Sequence, residues 1–240
     1  MPQQEDWRAH AEREQARYLD GEKRLESRPA VTDDAADPDS RQRQLTRMAN
    51  AAAGVGLALL MDGDRDEART WLTRAAERYR ESFAGAPLES WGRPLGAMKA
   101  RLIAGDGERA ADEARWALGA GAADSDSPIG RYAAALAFLV LGDDDAARGH
   151  ADAIRTRADF PPAVGDALAF IAADDVVGYT EAVESVLESF EDREEYLEDI
   201  PVADTVLALQ ALATRRGLEV ALESPLLPVA TPESATEPDA

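Results

Sequence analysis

Gly63-Asp64-Arg65-Asp66-Glu67-Ala68 is the first of three similar turns that decide the fold of this chain. Glycine readily takes the left-handed conformation that ends a helix, and aspartate caps the next helix by accepting from its free amides. The alanine four or five residues after the glycine lets the two helices approach closely. Each turn therefore predicts a hinge between paired helices. The other two turns are Gly105-Asp106-Gly107-Glu108-Arg109-Ala110 and Gly142-Asp143-Asp144-Asp145-Ala146-Ala147.

A degenerate fourth copy of the turn lies at Ala172-Ala173-Asp174-Asp175, where the glycine is lost. Successive turns are 42, 37 and about 31 residues apart, which is within the range of two-helix repeats. The sequence thus predicts an all-α protein of about ten helices. We expect its antiparallel helix hairpins to stack as a tetratricopeptide-like right-handed α-solenoid.

The domain organisation follows from these turns. We expect one helical-repeat domain over residues 1–222 and a disordered tail over residues 223–240, whose end is rich in proline and acids. Residues 218–222 are the one candidate for a strand, and the stretch is short. The predicted parts are an N-terminal helix 3–27, a polar linker 28–39, helix pairs over 40–198 (40–61 with 65–84, 89–104 with 107–119, 128–141 with 144–158, 161–173 with 175–198) and a closing helix 201–216.

The composition bounds the class of protein. The net charge is −21, and two of the 26 basic residues are lysines, a balance typical of proteins adapted to high salt. Cysteine is absent, which excludes disulfides and thiolate chemistry. The longest apolar run, 133–141, is about half of a membrane span. We therefore expect a halophilic, cytoplasmic protein that binds neither membranes nor nucleic acids, since no basic face is evident.

The sequence lacks the patterns that announce enzyme chemistry. His10 and His150 each stand alone on a polar stretch, without the second cluster that a metal site needs. No glycine-rich phosphate loop and no nucleophile elbow is found. We therefore predict no catalytic residues, no metal and no cofactor. A carboxylate-dependent enzyme in a helical bundle stays open as an alternative, because acidic residues are abundant.

An acid-rich segment is the first candidate for a binding site. Residues 159–204 hold fourteen acids and a single base, Arg193. The segment is either a solvated face of a halophilic protein or a surface that attracts a basic partner. Its candidate contact residues are Glu191, Asp192, Glu194, Glu195, Tyr196, Glu198 and Asp199.

Trp91 and Arg93 form the second candidate, at the entrance to a predicted helix. Tryptophan and arginine are over-represented among the residues that dominate protein interfaces. The alternative is that Trp91 is a packing residue between neighbouring hairpins.

The C-terminal part resembles the close of the immunity protein 49 family. The resemblance lies in Ile200-Pro201-Val202 at a helix start, Arg216-Gly217-Leu218-Glu219-Val220 at its end, and Ser224-Pro225-Leu226-Leu227-Pro228 beyond. It implies a helical-repeat antidote encoded beside a polymorphic toxin. A divergent tetratricopeptide-like protein resembles the same sequence.

The preferred hypothesis is a non-catalytic protein-binding module, in the narrower form an immunity protein that occludes a partner toxin with a basic domain. The carboxylate-dependent enzyme and a general scaffold or assembly protein are the alternatives. The sequence leaves the oligomeric state open.

Overall fold

The computed structural model describes residues 6–27, 40–196 and 200–229 and is all-helical within them. The predicted all-α class and the number of helices are confirmed for this part of the chain, in which residues 218–222 form no strand. A short 3₁₀ turn, Ala122–Asp124, precedes α6. The helices are α1 (Trp7–Ser27), α2 (Arg41–Met61), α3 (Arg65–Phe83), α4 (Gly92–Ile103), α5 (Gly107–Gly119), α6 (Pro128–Leu141), α7 (Asp144–Arg155), α8 (Pro162–Ala172), α9 (Val176–Glu191) and α10 (Asp204–Thr214).

The glycine-aspartate turns have the predicted geometry. Gly63, Gly105 and Gly142 take positive φ values of 89°, 72° and 81°, in the left-handed region. The following aspartate in each turn caps the next helix through its side chain, as when Asp106 Oδ1 accepts from the Arg109 N–H at 3.1 Å. The residues at which the paired helices meet, Ala68, Ala110 and Ala147, are buried. These turns therefore fix the end of one helix and the start of the next.

The fourth turn keeps this geometry without glycine. Asp174 has a φ of 52°, so an aspartate takes the left-handed conformation that glycine takes in the other turns. Asp175 then caps α9 by accepting from the Gly178 N–H at 3.0 Å. Asparagine and aspartate tolerate this region better than other side chains, although at some cost in free energy. The degenerate copy is thus a true member of the series.

Two hydrophobic clusters form the core, and α4 belongs to both. The first cluster packs α1, α2 and α3 against the alanine face of α4, with Ala97 and Ala100 buried there. The second runs from the opposite face of α4, with Met98, through α10 and includes Leu209. Consecutive helices contact each other from α1 to α9. Helix α4, with one face in each cluster, therefore joins the two halves of the chain.

The closing helix α10 does not simply follow α9 but returns to pack against α4, α8 and α9. Asp204 at its start accepts from Lys99 Nζ of α4 at 2.6 Å. Arg216 beyond its end donates to the carbonyl oxygens of Leu139 (2.9 Å) and Ile171 (3.2 Å), in the last turns of α6 and α8. Each of these carbonyls also accepts a backbone N–H from the turn that follows its helix, so Arg216 adds a second, charged donor at both helix ends.

Two predicted boundaries are wrong by several residues, while the predicted starts of α4 and α10 and the predicted end of α7 each differ by three residues. Helix α9 ends at Glu191 rather than at residue 198, because the acids that follow would repel one another and the negative end of the helix dipole. The predicted disordered tail begins too early, since Leu226 and Leu227 are buried and the Leu226 carbonyl accepts from the Ala203 N–H at 3.0 Å. The linker 28–39 and residues 230–240 lie outside the described residues.

The left-handed aspartate predicts a stabilising substitution. Asp174→Gly should raise the free energy of unfolding by about 0.5–1 kcal/mol, because glycine adopts positive φ without steric cost. The Asp174 side chain makes no hydrogen bond or ion pair among the described residues, so the substitution removes no contact. Denaturant unfolding measures the effect. As a control, Asp175→Ala should lower stability by about 1 kcal/mol through the lost cap. A variant Asp174→Gly no more stable than the parent would contradict the assignment.

The return of α10 to the core predicts a second effect on stability. Leu209→Ala should lower the free energy of unfolding by about 2–5 kcal/mol, because Leu209 is fully buried in the larger cluster. Leu88→Ala is the matched control, since Leu88 is 96 % exposed and its truncation should cost less than about 0.5 kcal/mol. Equal effects of the two truncations would show that α10 is not part of the core.

Candidate functional site

The structure buries Trp91 and Arg93. The Trp91 side chain is 7 % exposed, and its ring lies 6.3 Å from that of Phe83. Arg93 is 9 % exposed and donates to Thr46 Oγ1 at 3.1 Å and to Gln42 Oε1 on α2. Their burial favours the packing alternative, because side chains that tie α4 to its neighbours are not available to a partner. The expectation that these two residues form a binding surface is therefore corrected.

The acid-rich segment lies on the surface. Glu191, Asp192, Glu194 and Glu195 are exposed around the end of α9. Tyr196 is half-buried, and its hydroxyl donates to the Phe190 carbonyl oxygen at 2.8 Å, which holds the turn against α9. Glu198 and Asp199 lie outside the described residues. The structure thus brings four of the predicted acids together and gives the tyrosine a positioning role.

The exposed acids also extend back along α9. Residues 181, 184, 188 and 191 are all glutamates, and their spacing of three, four and three residues places them on one face of the helix. Val177, 66 % exposed, precedes them by one turn on the same face. We call these side chains, together with those of the following turn, the acidic surface. Its members are Glu181, Glu184, Glu188, Glu191, Asp192, Glu194 and Glu195.

The carboxylates of the acidic surface are not neutralised by basic side chains of the described residues. In the described part of the chain, none of its members forms an ion pair, and Glu191 accepts a hydrogen bond from Ser224. Arg193 lies with its guanidinium carbon 3.7 Å from the centre of the Phe190 ring instead. By contrast, Arg157 pairs with Asp159 at 2.8 Å in a tight exposed pair. Unpaired carboxylates of this kind create a local negative potential that attracts cations.

A groove between α3 and α5 is the second prominent feature of the surface. It has a volume of about 950 Å³, and α4 lies beneath it. Arg80 of α3 crosses the groove to donate to Glu113 Oε2 at 2.8 Å and lies 4.9 Å from the ring centre of Trp116. Arg101 of α4 forms the floor, with its Nε 3.7 Å from Glu113 Oε1. We name this feature the arginine groove.

Glu113 is a buried carboxyl group in that groove, with 3 % of its surface exposed. Burial raises the pKa of Glu113 above its ordinary range, and the neighbouring Arg80 and Arg101 offset this only in part. Sequence reasoning did not single out Glu113, although a signal was present. Residues 110, 113, 114 and 117 share one helix face, and the other three are alanines. A carboxyl group on a helix face of alanines is expected to be buried and to pair with a basic or hydrogen-bonding side chain of the same chain.

The described residues contain little else that suggests chemistry. Within them, no three His, Cys, Asp or Glu side chains lie close enough together to hold a metal ion. His150 stacks on Phe138 with 5.5 Å between ring centres, and burial lowers its pKa with help from Arg131. None of the described helices has both the length and the apolar character that crossing a membrane requires.

The comparisons with known proteins return no match: no family model, no curated protein and no solved structure corresponds to the chain.

The raised pKa of Glu113 predicts a pH dependence of known sign. As pH rises through the range above the ordinary value of 4.5, the unfolded chain loses this proton before the folded chain does. Glu113 therefore makes stability fall with rising pH. The free energy of unfolding of the parent minus that of Glu113→Gln should decrease between about pH 4 and pH 7.

Denaturant unfolding at several pH values tests this difference. Glu108→Gln is the matched control, because Glu108 is exposed on the same helix and no ion pair of it is found among the described residues. A parent-minus-Glu113→Gln difference that increases with pH would mean that the arginines, and not burial, set the pKa of Glu113.

Proposed function

We propose that this chain is a non-catalytic protein-binding module whose partner docks a basic surface on the acidic surface of α9. The observation that carries the proposal is the row of exposed carboxylates on one helix face, none of which forms an ion pair within the described part of the chain. Elsewhere in the described residues arginines neutralise many of the acids, as at Arg157–Asp159 and Arg115–Asp112. By contrast, seven carboxylates without an ion pair among the described residues lie together on α9 and the turn after it.

Physical chemistry favours a protein partner over a small ligand at this site. The glutamates 181, 184, 188 and 191 span about 15 Å of helix, since each residue adds about 1.5 Å. A row of this length matches an extended basic surface better than a single cation. Charge complementarity raises association rates and rejects partners of the wrong sign, and the exposed Val177 adds apolar area at one end.

The finer architecture belongs to the same proposal. We infer that the hairpins of α2 to α9 stack as a tetratricopeptide-like right-handed α-solenoid, an inference supported by the repeated turns and by the contacts between consecutive helices. Because α10 packs against α4 and α8, we place the binding face on the exposed side of α9.

The narrower proposal is an immunity protein of a halophilic cytoplasm. Its support is the resemblance of the C-terminal residues to the immunity protein 49 family, together with the acidic composition. The partner would then be a toxin with a basic active site, and inhibition would come from steric cover and charge complementarity. A tight complex needs no catalytic group on the antidote.

A second candidate function, a carboxylate-dependent enzyme, is favoured by one observation. Glu113 is a buried carboxyl group with a raised pKa beside the arginine groove, as expected of a general acid. We rank this function lower because Arg80 holds the carboxylate at 2.8 Å and Arg101 lies on its other side. This arrangement suits a structural ion pair.

A scaffold or assembly role would need self-association of the chain, and light scattering in molar salt tests for it.

Charge reversal on α9 tests the proposed function. The parent chain and the double variant Glu184→Lys with Glu188→Lys are compared in binding experiments. The binding partners tested are protein captured from a lysate in high salt and the product of the gene beside this one. The double variant should bind a stoichiometric partner at least tenfold more weakly, a loss of about 1.4 kcal/mol or more.

The matched control is Glu108→Lys with Asp145→Lys, which makes the same change in net charge on the exposed faces of α5 and α7. It should retain the partner. The proposal fails if no partner binds in a fixed ratio, or if the two double variants lose affinity equally. The immunity form fails if the captured partner is not toxic to cells when expressed alone.

A further inference from the structure

Three exposed arginines surround the turn between α4 and α5. Arg69 of α3 places its Nη2 3.8 Å from the position that a Cβ on Gly105 would take. Arg215, after α10, places its guanidinium carbon 3.2 Å from the corresponding position on Gly107. Arg109 follows the turn in the first turn of α5. Among the described residues, none of these three side chains has a hydrogen bond, an ion pair or a ring contact. We name them, with Arg101, the basic turn.

This arrangement is unexpected in a chain with a net charge of −21. The turn holds two acids, Asp106 and Glu108, but Asp106 Oδ1 accepts from the Arg109 backbone N–H to cap α5, and Glu108 forms no ion pair among the described residues. Asp106 Oδ2 lies 3.7 Å from Arg101 Nη1. The guanidinium groups of Arg69 and Arg215 therefore face the turn without a carboxylate of their own. Positive side chains gathered at one point repel each other unless an anion lies between them.

Arg101 beneath the turn supplies the independent evidence for a ligand. The residue is 5 % exposed, and its Nε is buried without a hydrogen-bond acceptor. Burying such a donor without an acceptor is unfavourable. The carboxylate oxygens of Asp106 and Glu113 are 3.7 Å from the guanidinium nitrogens and so beyond hydrogen-bond distance. The floor of the groove therefore has a charged N–H donor without an acceptor among the described residues.

The basic turn meets the arginine groove at Arg101 and Arg109, which line it, whereas Arg69 and Arg215 lie outside the lining. The far end of the groove is already neutralised, with Arg80 paired to Glu113 and Arg115 paired to Asp112. The volume of about 950 Å³ is that of a small-molecule site. The anionic part of a ligand therefore fits at the turn, and the rest of the molecule extends along the groove towards Trp116.

We propose that the basic turn, together with the arginine groove, binds a small molecule that carries two or more phosphate or carboxylate groups. Guanidinium groups form paired, charge-assisted hydrogen bonds to both kinds of oxyanion. The arginines come from α3, from α4 and α5, and from the residues after α10, so the ligand would link segments distant in sequence. This site is independent of the acidic surface and does not rest on the proposed protein partner.

Calorimetric titration of the full chain with inorganic pyrophosphate and with citrate tests the proposal. We expect one ligand to bind per chain with a dissociation constant in the millimolar range or tighter at about 0.1 M potassium chloride. Arg69→Gln with Arg215→Gln should weaken binding at least tenfold. Both residues are exposed, so these substitutions should leave denaturant unfolding unchanged.

The matched control is Arg148→Gln with Arg157→Gln, which removes two exposed arginines that are paired with Asp145 and Asp159. It should bind as the parent does. Binding of pyrophosphate alone supports a phosphate ligand, and binding of citrate alone supports a carboxylate ligand. The proposal is overturned if neither anion binds at about 10 mM, or if both double variants lose affinity alike. Either result leaves the assignment of the acidic surface untouched.

Discussion

A left-handed residue followed by a capping aspartate is the constraint on which the rest of this structure depends. It occurs at Gly63, Gly105, Gly142 and Asp174 and stops one helix where the next begins. Because the chain reverses within two or three residues, paired helices must lie close together, and alanines fill the hinge. The helices are therefore held by local geometry first and by the two hydrophobic clusters second. Arg216 adds the long-range tie, since it joins the ends of α6 and α8 to the segment after α10.

Much of the fold could be predicted from the sequence because its determinants are local. The turns, most helix bounds and the buried faces follow from glycine, aspartate and alanine at regular spacing. The return of α10 to α4 could not be predicted, because it depends on Lys99 meeting Asp204 across 105 residues. The end of α9 was predicted seven residues too late, since helix propensity in the acidic run was given more weight than repulsion among its charges.

The candidate sites could be predicted only in part. Acid density pointed to the end of α9, but density cannot separate paired from unpaired carboxylates when the arginines come from other helices. Arg8 of α1, for example, reaches Asp62 and Asp64 beyond α2. The same limit hid the basic turn, whose arginines are scattered over positions 69, 101, 109 and 215. Glu113 is the exception, because its position on an alanine face was visible in the sequence. Trp91 and Arg93 misled, since residue type alone does not report burial.

The central claim is that the acidic surface of α9 is the docking face of this protein. Hydrogen–deuterium exchange on the purified complex with its stoichiometric partner tests it most directly. The account predicts slower exchange in the last turns of α9 and in residues 192–196, with α2 and α3 unchanged. Protection confined to α2, α3 or the basic turn, with exchange in α9 as fast as in the free chain, would contradict it.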